Sequence, residues 1–245
     1  MARGKYEASS PVVVSFLRWM DTTPYLQHLS WYTRFRAVME LWFAAVRRDD
    51  KTYLARVKEL TPEAVRGGPD TNRMNVMDSA CGFFARFYQA MLEEPQDYLG
   101  EAYQAYSVRD TRNLAQYFTP DPVAKMMAAM TVSDMDPDQW RKDDGVRLLE
   151  PACGSGVMMI HALAEVYRNH GQWALNRTQA VLVDLDPICV AMAALQMAWL
   201  PFPVGSLILM QGDSLAGTEK VVWATGKGIA PTFERIVCKV EGQPC

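Results

Sequence analysis

The sequence predicts an α/β protein in which an α-helical region precedes a doubly wound, mostly parallel sheet. Three observations carry this prediction. Apolar residues recur at spacings of three and four up to about residue 115, short apolar runs then alternate with helical stretches, and a glycine-rich turn follows the first such run. Strands that alternate with helices and are apolar along their length indicate a parallel sheet covered by helices on both faces. We expect the helical region at residues 1–112 and the α/β domain at 113–245.

Length and composition are those of a globular protein. The chain has 245 residues, of which 49% are hydrophobic and 22% charged, so a sizeable core is expected. It contains no apolar run of the roughly 20 residues that span a bilayer, and no convincing signal peptide. The five cysteines are an odd number without Cys-x-x-Cys spacing. We therefore expect a reduced, cytoplasmic protein with no disulfide framework, no metal site and no membrane partner.

The charge does not indicate a dedicated binder of polyanions. The net charge is −3, and neither part of the chain on either side of residue 115 has a basic surplus larger than one. A local patch formed by Arg34, Arg36, Arg47 and Arg48 is one interpretation of the basic residues. A solvated helix face is the more common arrangement of such residues.

Two aromatic stripes define the helical region. The first runs from Trp31 to Val46, and the second runs from Phe83 to Leu92, with Pro95 ending its helix. Between them, the segment 66–70 (Arg-Gly-Gly-Pro-Asp) is predicted to be a loop. Each stripe is either core or a surface for a partner or nucleic acid, and core is the more common use of aromatic side chains.

The elements of the α/β domain follow in order. Pro187 fits the first turn of the predicted helix that begins with it. A backbone N–H in the first turn has no intrahelical acceptor, so its absence in proline costs no hydrogen bond. Each strand is short and apolar, and each helix between the strands is long enough for a crossover. The predicted strands are 146–150, 180–184, 206–210 and 233–238, and the predicted helices are 156–170 and 187–200.

The turn after the first strand is the most informative segment. It reads Glu-Pro-Ala-Cys-Gly-Ser-Gly at 150–156, so a carboxylate ends the strand and two glycines lead into an apolar helix. Glycine lets the backbone approach a ligand closely, and the free N–H groups at a helix start point toward it. A nucleotide-like cofactor is the usual occupant of such a crevice.

Three carboxylates follow the ends of successive predicted strands: Glu150, Asp184 and Asp213. The carboxyl ends of parallel strands line the ligand crevice. Asp184 is placed to accept from ribose hydroxyls, Asp213 from an adenine amine, and Glu150 is placed to hold a cationic amino group. S-adenosylmethionine has all three parts. NAD is a weaker candidate because Met159 occupies the third glycine position of Gly-x-Gly-x-x-Gly.

Each carboxylate also has a structural interpretation. Asp213 lies in Gly-Asp-Ser, which is ordinary turn chemistry. Asp184 or Asp186 is suited to cap the helix that begins at Pro187. Taken singly, these interpretations and the ligand-binding ones are evenly matched, and the joint placement favours the cofactor.

Four segments together resemble the N6-adenine DNA methyltransferases, in particular the modification subunit of type I restriction systems. They are Gln-Tyr-Phe-Thr-Pro at 116–120, Glu-Pro-Ala-Cys-Gly-Ser-Gly at 150–156, Asp-Leu-Asp-Pro at 184–187 and Gly-Asp-Ser-Leu at 212–215. The resemblance covers roughly residues 113–238. It implies a Rossmann-like methyltransferase sheet, DNA as a partner, and activity as a site-specific DNA-methyltransferase (adenine-specific).

The resemblance also implies roles for individual residues. Phe118, Thr119 and Pro120 close with the glycine turn over the methionine part of S-adenosylmethionine, and Glu150 takes its amino group. Asp184 binds the ribose, and Asp213 binds the adenine amine. The cofactor-binding residues implied in this way are Phe118, Thr119, Pro120, Glu150, Ala152, Gly154, Gly156, Asp184 and Asp213.

The catalytic loop of that family is the point of departure. The family's fourth strand ends in Asn-Pro-Pro-aromatic, whereas the strand predicted here at 233–238 continues with Lys239, and no Asn-Pro-Pro occurs in the sequence. In that family the asparagine accepts a hydrogen bond from the target amine. A charged lysine at this position donates hydrogen bonds and accepts none, so Lys239 cannot take that role. No catalytic residue is assigned, and the sheet is expected to be incomplete at its C-terminal end, with a homodimer or partner subunit covering its edge. Two functions follow: a DNA adenine methyltransferase that obtains this loop elsewhere, or a catalytically inactive module that binds cofactor or a partner.

Overall fold

The structure, a computed structural model, describes residues 8–61, 71–107 and 118–226. The chain divides into two compact units, residues 1–118 and 119–245. The described part of the first unit is α-helical, and that of the second has a sheet with helices against it, as the sequence predicts. The predicted loop at 66–70 and the predicted strand at 233–238 lie outside the described residues.

Two helices of the first unit begin at polar side chains that satisfy free backbone N–H groups. The Ser30 hydroxyl accepts from Thr33 N–H at 3.2 Å, and the Asp49 carboxylate accepts from Thr52 N–H at 3.0 Å. These residues start the second and third helices. The helices are α1 (Pro11–Thr22), α2 (Trp31–Val46), α3 (Asp50–Leu60), α4 (Thr71–Glu93) and α5 (Tyr98–Ser107).

The aromatic stripes form the core of this unit. The ring of Phe16 lies 5.3–6.3 Å from rings on two other helices, those of Phe35, Trp42, Phe83 and Phe87. All five side chains are buried, so the prediction that the stripes are core is confirmed for them. It is wrong for Tyr88 and Leu92 near the end of α4. These two side chains are exposed because they lie outside the helix face that Phe83 and Phe87 share.

The arginine cluster is not a free cationic patch. Arg34 is buried, and its guanidinium donates to the carbonyls of Met20 and Leu29 at 2.8 and 3.0 Å. Arg36 and Arg47 each form an ion pair with a carboxylate. A solvated helix face is therefore the wrong description of Arg34, whose role is to satisfy two backbone carbonyls.

The second unit has the predicted strand–helix alternation, with three additional elements. Its helices are α6 (Asp121–Val132), α7 (Asp138–Arg141), α8 (Val157–Leu175) and α9 (Pro187–Trp199). Its strands are β1 (Val146–Glu150), β2 (Thr178–Asp184), β3 (Ser206–Gln211) and β4 (Lys220–Gly226). The additional elements are α6, α7 and β4. Helical dihedrals in α8 are interrupted at Gly171, whose φ is +73°, so the predicted end of this helix at residue 170 marks a real break.

The sheet has the order β1-β2-β3-β4. The first three strands are parallel, with Glu150 opposite Leu182 and Val181 opposite Ile208. The sequence did not predict β4, which pairs with β3 in the antiparallel sense. The link between these strands is too short for a helical crossover, and a hairpin is the alternative.

The two crossover helices, α8 and α9, contact each other as well as the sheet. Successive right-handed crossovers in the same direction are expected to place such helices on one face of a sheet. Helix α8 packs against β1 and β2, α9 packs against β2 and β3, and α6 packs against α8. A buried apolar cluster in the sheet is formed by Val181 and Val183 of β2 with Ile208 and Met210 of β3. Among the described residues β1 has a neighbour on one side only, and its Leu149 is 64% exposed.

Candidate cofactor site

The turn between β1 and α8 uses left-handed backbone at two positions. Gly154 has φ +53° and Gly156 has φ +96°, values that L side chains adopt at a cost. The turn is anchored to the sheet because Cys153 N–H donates to the Val183 carbonyl at 2.8 Å. Helix α8 then starts, with Ile160 N–H donating to the Gly156 carbonyl at 3.0 Å. The segment is thus a fixed loop at the carboxyl edge of the sheet.

Asp184 fastens this turn to the end of β2. One carboxylate oxygen, Oδ2, accepts from Gly154 N–H at 2.8 Å, and the other, Oδ1, accepts from Asp186 N–H at 2.9 Å. The helix cap is Asp186, whose Oδ1 accepts from Ile188 N–H at 2.8 Å. The capping interpretation is therefore correct for Asp186 and wrong for Asp184.

Asp213 organises the turn after β3. Its Oδ1 accepts from both Leu215 N–H and Ala216 N–H, at 2.9 and 3.1 Å. The turn interpretation of Asp213 is therefore correct, although Oδ2 accepts no hydrogen bond from the described residues. The Ser214 hydroxyl donates to the Pro151 carbonyl at 2.8 Å and ties this turn to the glycine turn.

The charged form of Glu150 is disfavoured at its position in the structure. Burial raises the pKa of Glu150, a hydrogen bond from Ala152 N–H lowers it, and the negative charge of Asp184 raises it again; the net pKa is above the ordinary value. Burial and the same two carboxylates raise the pKa of the neighbouring Cys153 thiol well above its ordinary value. Cys153 is therefore a protonated, non-nucleophilic thiol, and the site has an excess of negative charge that a cation relieves.

Helix α9 supports the turn from behind. A Cβ added to Gly156 would lie 3.3 Å from both Cα and Cβ of Ala193, so the turn and this helix are in close contact. The fully buried Gln196 donates through Nε2 to the Ser155 carbonyl at 2.8 Å. No sequence pattern indicated Gln196, because a glutamine inside an apolar helix has no motif around it.

Two exposed leucines lie at the same edge, and they were not among the predicted site residues. Leu185 follows Asp184 and is 68% exposed, and Leu215 lies two residues after Asp213 and is 97% exposed. Large exposed apolar side chains are common singly, but here each adjoins a predicted ligand-binding carboxylate. Their position one and two residues after those carboxylates is the signal that the sequence offered.

The predicted Phe118–Pro120 segment is divided between the units. Phe118 belongs to the first unit, where its carbonyl accepts from Gln104 Nε2 at 3.3 Å and its ring lies 5.5 Å from that of Tyr103. Thr119 and Pro120 begin the second unit and lead into α6. Their predicted contact with the cofactor stays a prediction.

The start of α6 is joined to α8 by a partly buried hydrogen bond. The Asp121 carboxylate lies 2.9 Å from Nε2 of His161, whose side chain is 6% exposed. His161 lies in the second turn of α8, five residues after Gly156. This bond therefore places the residues that follow Pro120 near the glycine-turn end of α8.

Several predictions fall outside the described part of the chain or concern absences. Gln116, Tyr117 and Lys239 are not among the described residues. Within residues 8–61, 71–107 and 118–226, no cluster of histidine, cysteine, aspartate or glutamate is arranged to hold a metal ion. No helix of that same part is both long and apolar enough to span a bilayer.

The family model described as N-6 DNA Methylase matches residues 94–220, which include the glycine turn, Asp184 and Asp213. The chain belongs to this family. Membership confirms the resemblance drawn from the sequence motifs, and it implies S-adenosylmethionine as the cofactor. The residues present fit such a group, because half-buried Glu150 beside Asp184 provides negative charge for a ligand that carries an ammonium and a sulfonium.

A solved structure from Listeria monocytogenes, described as a candidate class I S-adenosylmethionine-dependent methyltransferase, has 15% sequence identity and a TM-score of 0.42. The match covers 83% of this chain and 52% of that chain, so the present chain spans about half of that structure's length. No curated protein sequence matches the chain.

Proposed function

We propose that this N-6 DNA methylase family member is an adenine-N6-specific DNA methyltransferase, or a subunit of one, that works in a restriction-modification or related DNA-modification system. Residues 113–245 are its S-adenosylmethionine-binding domain. The observation that carries the proposal is the joint position of Glu150, Asp184 and Asp213 around the glycine turn, linked by hydrogen bonds at the carboxyl edge of the sheet.

The ligand roles follow from the atoms that are still able to accept. Glu150 holds the ammonium of the methionine part, which relieves its unfavourable position beside Asp184. Each Asp184 oxygen accepts one N–H and has a further lone pair for a ribose hydroxyl. Asp213 Oδ2 accepts from the adenine amine, and Leu185 and Leu215 give apolar surface beside the ring. When bound, the cofactor supplies the methyl group for transfer.

The groups that orient the target adenine come from outside these 245 residues. No Asn-Pro-Pro occurs in the sequence, and the part of the chain after residue 115 has 10 basic and 14 acidic residues, which do not favour a polyanion. A partner subunit of different sequence supplies the target-base loop and most of the DNA contacts. The same absence favours a second candidate function: a module that binds cofactor and a partner without transferring methyl groups.

Calorimetric titration with S-adenosylmethionine tests the cofactor site. Glu150→Gln keeps the shape of the side chain and removes its charge, so we expect affinity to fall at least tenfold. Asp186→Asn is the matched control, because it removes a carboxylate at the same edge while asparagine still caps α9. Equal affinity in Glu150→Gln and in the unaltered protein would contradict the proposed role, and absence of binding at millimolar cofactor would contradict the site.

Transfer of tritiated methyl groups tests the reaction. Duplex DNA that contains adenine is compared with a duplex of guanine and cytosine only, with the protein alone and after its natural partner has been added. Incorporation only into the adenine-containing duplex supports the methyltransferase. Cofactor binding without incorporation in the reconstituted complex supports the inactive module instead.

A further inference from the structure

The start of α6 has no capping side chain of its own. Pro120 occupies the N-cap position and forms no side-chain hydrogen bond to the free N–H groups of the first turn. Its backbone carbonyl accepts from the N–H groups of Val123 and Ala124, at 2.9 and 3.0 Å. Asp121, which follows Pro120, is therefore the first residue of this helix whose side chain can fasten it to another element.

The residues around Asp121 form a stiff segment that reads Thr-Pro-Asp-Pro at 119–122. A proline ring fixes φ near −65° and also restricts the residue before it, and Pro120 has φ −58°. The position of Asp121 therefore largely determines where the two residues before it lie. Thr119 is partly buried and Pro120 is exposed, so both can be reached by a ligand.

A buried histidine of α8 holds Asp121 in place. Nε2 of His161 lies 2.9 Å from Oδ1 of Asp121. An ionised carboxylate only accepts hydrogen bonds, so Nε2 carries the hydrogen and donates it. The side chain of His161 is 6% exposed and that of Asp121 is 35% exposed. The fixed, buried partner thus determines the position of the partly exposed one, and both belong to the second unit.

Helices α6 and α8 are also joined at their other end, where the Ser133 hydroxyl donates to Glu165 Oε1 at 2.8 Å. Apolar contacts tolerate small shifts of one helix along another, whereas a polar pair fixes the register. Of the two polar links, that of His161 is the one next to the glycine turn, because His161 lies five residues after Gly156. The buried face of α6 between the links consists of small or β-branched apolar side chains: Ala124, Ala128 and Val132.

We propose that His161 is a positioning residue of the cofactor site. Its hydrogen bond to Asp121 holds Thr119 and Pro120 at the glycine-turn end of α8, where they close over the methionine part of S-adenosylmethionine. The inference rests on the proposed function and adds that the second unit arranges this segment before the cofactor binds. Such an arrangement strengthens binding because the segment does not have to be ordered at that moment.

Calorimetric titration of the full chain with S-adenosylmethionine tests the role of His161. His161→Leu fills the buried volume without a donor, so we expect affinity to fall by about tenfold or more. His161→Gln restores an N–H donor of similar reach and should bind within about threefold of the unaltered chain. Asp121→Asn keeps an acceptor oxygen and should behave like His161→Gln, whereas Asp121→Ala should behave like His161→Leu.

Ser133→Ala is the matched control, because it removes the hydrogen bond at the other end of the same helix pair. Glu165 keeps its hydrogen bonds from Arg168 and Asn169 in this variant, so the fold is retained. Its affinity for the cofactor should equal that of the unaltered chain, and urea unfolding should show a cooperative transition for every variant.

Equal affinity in His161→Leu and the unaltered chain would overturn the inference and leave the cofactor site standing. An equal fall in Ser133→Ala, or no recovery in His161→Gln, would also overturn it, since general packing of α6 on α8 would then explain the loss. Absence of cofactor binding by the unaltered chain would contradict the proposed function itself, and this inference with it.

Discussion

Asp184 and Asp213 each accept two backbone N–H groups, but they do so in different ways. Asp184 uses one oxygen for Gly154 and the other for Asp186, whereas Asp213 uses Oδ1 alone for Leu215 and Ala216. An asparagine side chain has a single acceptor oxygen and an NH₂ group in place of the other. Asp184→Asn must therefore lose one hydrogen bond and direct a donor at a donor, whereas Asp213→Asn keeps both hydrogen bonds.

The expected magnitudes follow from this difference. A hydrogen bond to a charged acceptor contributes about 1.5–3 kcal/mol, so Asp184→Asn should lower the free energy of unfolding by about 2–3 kcal/mol. Asp213→Asn loses only the charge assistance of its bonds and should lower it by less than about 1 kcal/mol. The two variants have the same change in composition and charge and therefore serve as controls for each other.

Urea unfolding, followed by circular dichroism, measures both variants against the unaltered protein. Equal losses of unfolding free energy in the two variants would refute the reasoning, since the number of acceptor oxygens would then have no effect. A larger loss for Asp213→Asn would refute it more strongly. Affinity for S-adenosylmethionine should be compared only under conditions in which both variants are fully folded.

Three further variants test the surroundings of the glycine turn. The raised pKa of Glu150 favours the fold below the ordinary value of 4.5, and this advantage is lost as pH rises through the folded-state pKa. Glu150→Gln should therefore raise thermal stability at neutral pH, with the gain disappearing under acid conditions. Gly156→Ala should lower the free energy of unfolding by about 2–4 kcal/mol, from left-handed backbone and contact with Ala193, as denaturant titration would show. Gln196→Leu removes the donor to the Ser155 carbonyl and should lower it by about 1–3 kcal/mol in the same assay, whereas an unchanged midpoint would mean that water replaces the amide.

Local sequence patterns predicted the elements whose causes are local. The bounds of β1 agree with the prediction, because its apolar run ends at a carboxylate and the glycine turn follows. The helical dihedrals of α8 are likewise interrupted at a residue that the sequence marks, Gly171, because glycine readily adopts a positive φ. Strand β4 was missed although its Val-Val-Trp-Ala-Thr run has the β-branched and aromatic composition of a strand. Its antiparallel pairing with β3 is completed by the turn that Asp213 organises.

The candidate site was less predictable, because contacts distant in sequence define it. The motifs placed Glu150, Asp184 and Asp213 at one edge, but no pattern indicated that Asp184 divides its oxygens between two backbone segments. Nor did any pattern indicate that the hydroxyl of Ser214 reaches the carbonyl of Pro151. Such contacts depend on how three loops meet after the strands have paired, which the sequence specifies only through the whole fold.

The position of β1 determines at which edge the described sheet can gain a further strand. Strand β4 occupies one edge of the described sheet, while β1 is open on its outer side and ends directly at the glycine turn. A strand that paired with β1 in the parallel sense would bring its own carboxyl-end loop beside Glu150, because parallel strands end at the same edge. Pairing of such a strand with β1 would extend the sheet and complete the crevice in the same step. The crevice would then be complete only after that strand had assembled onto the sheet.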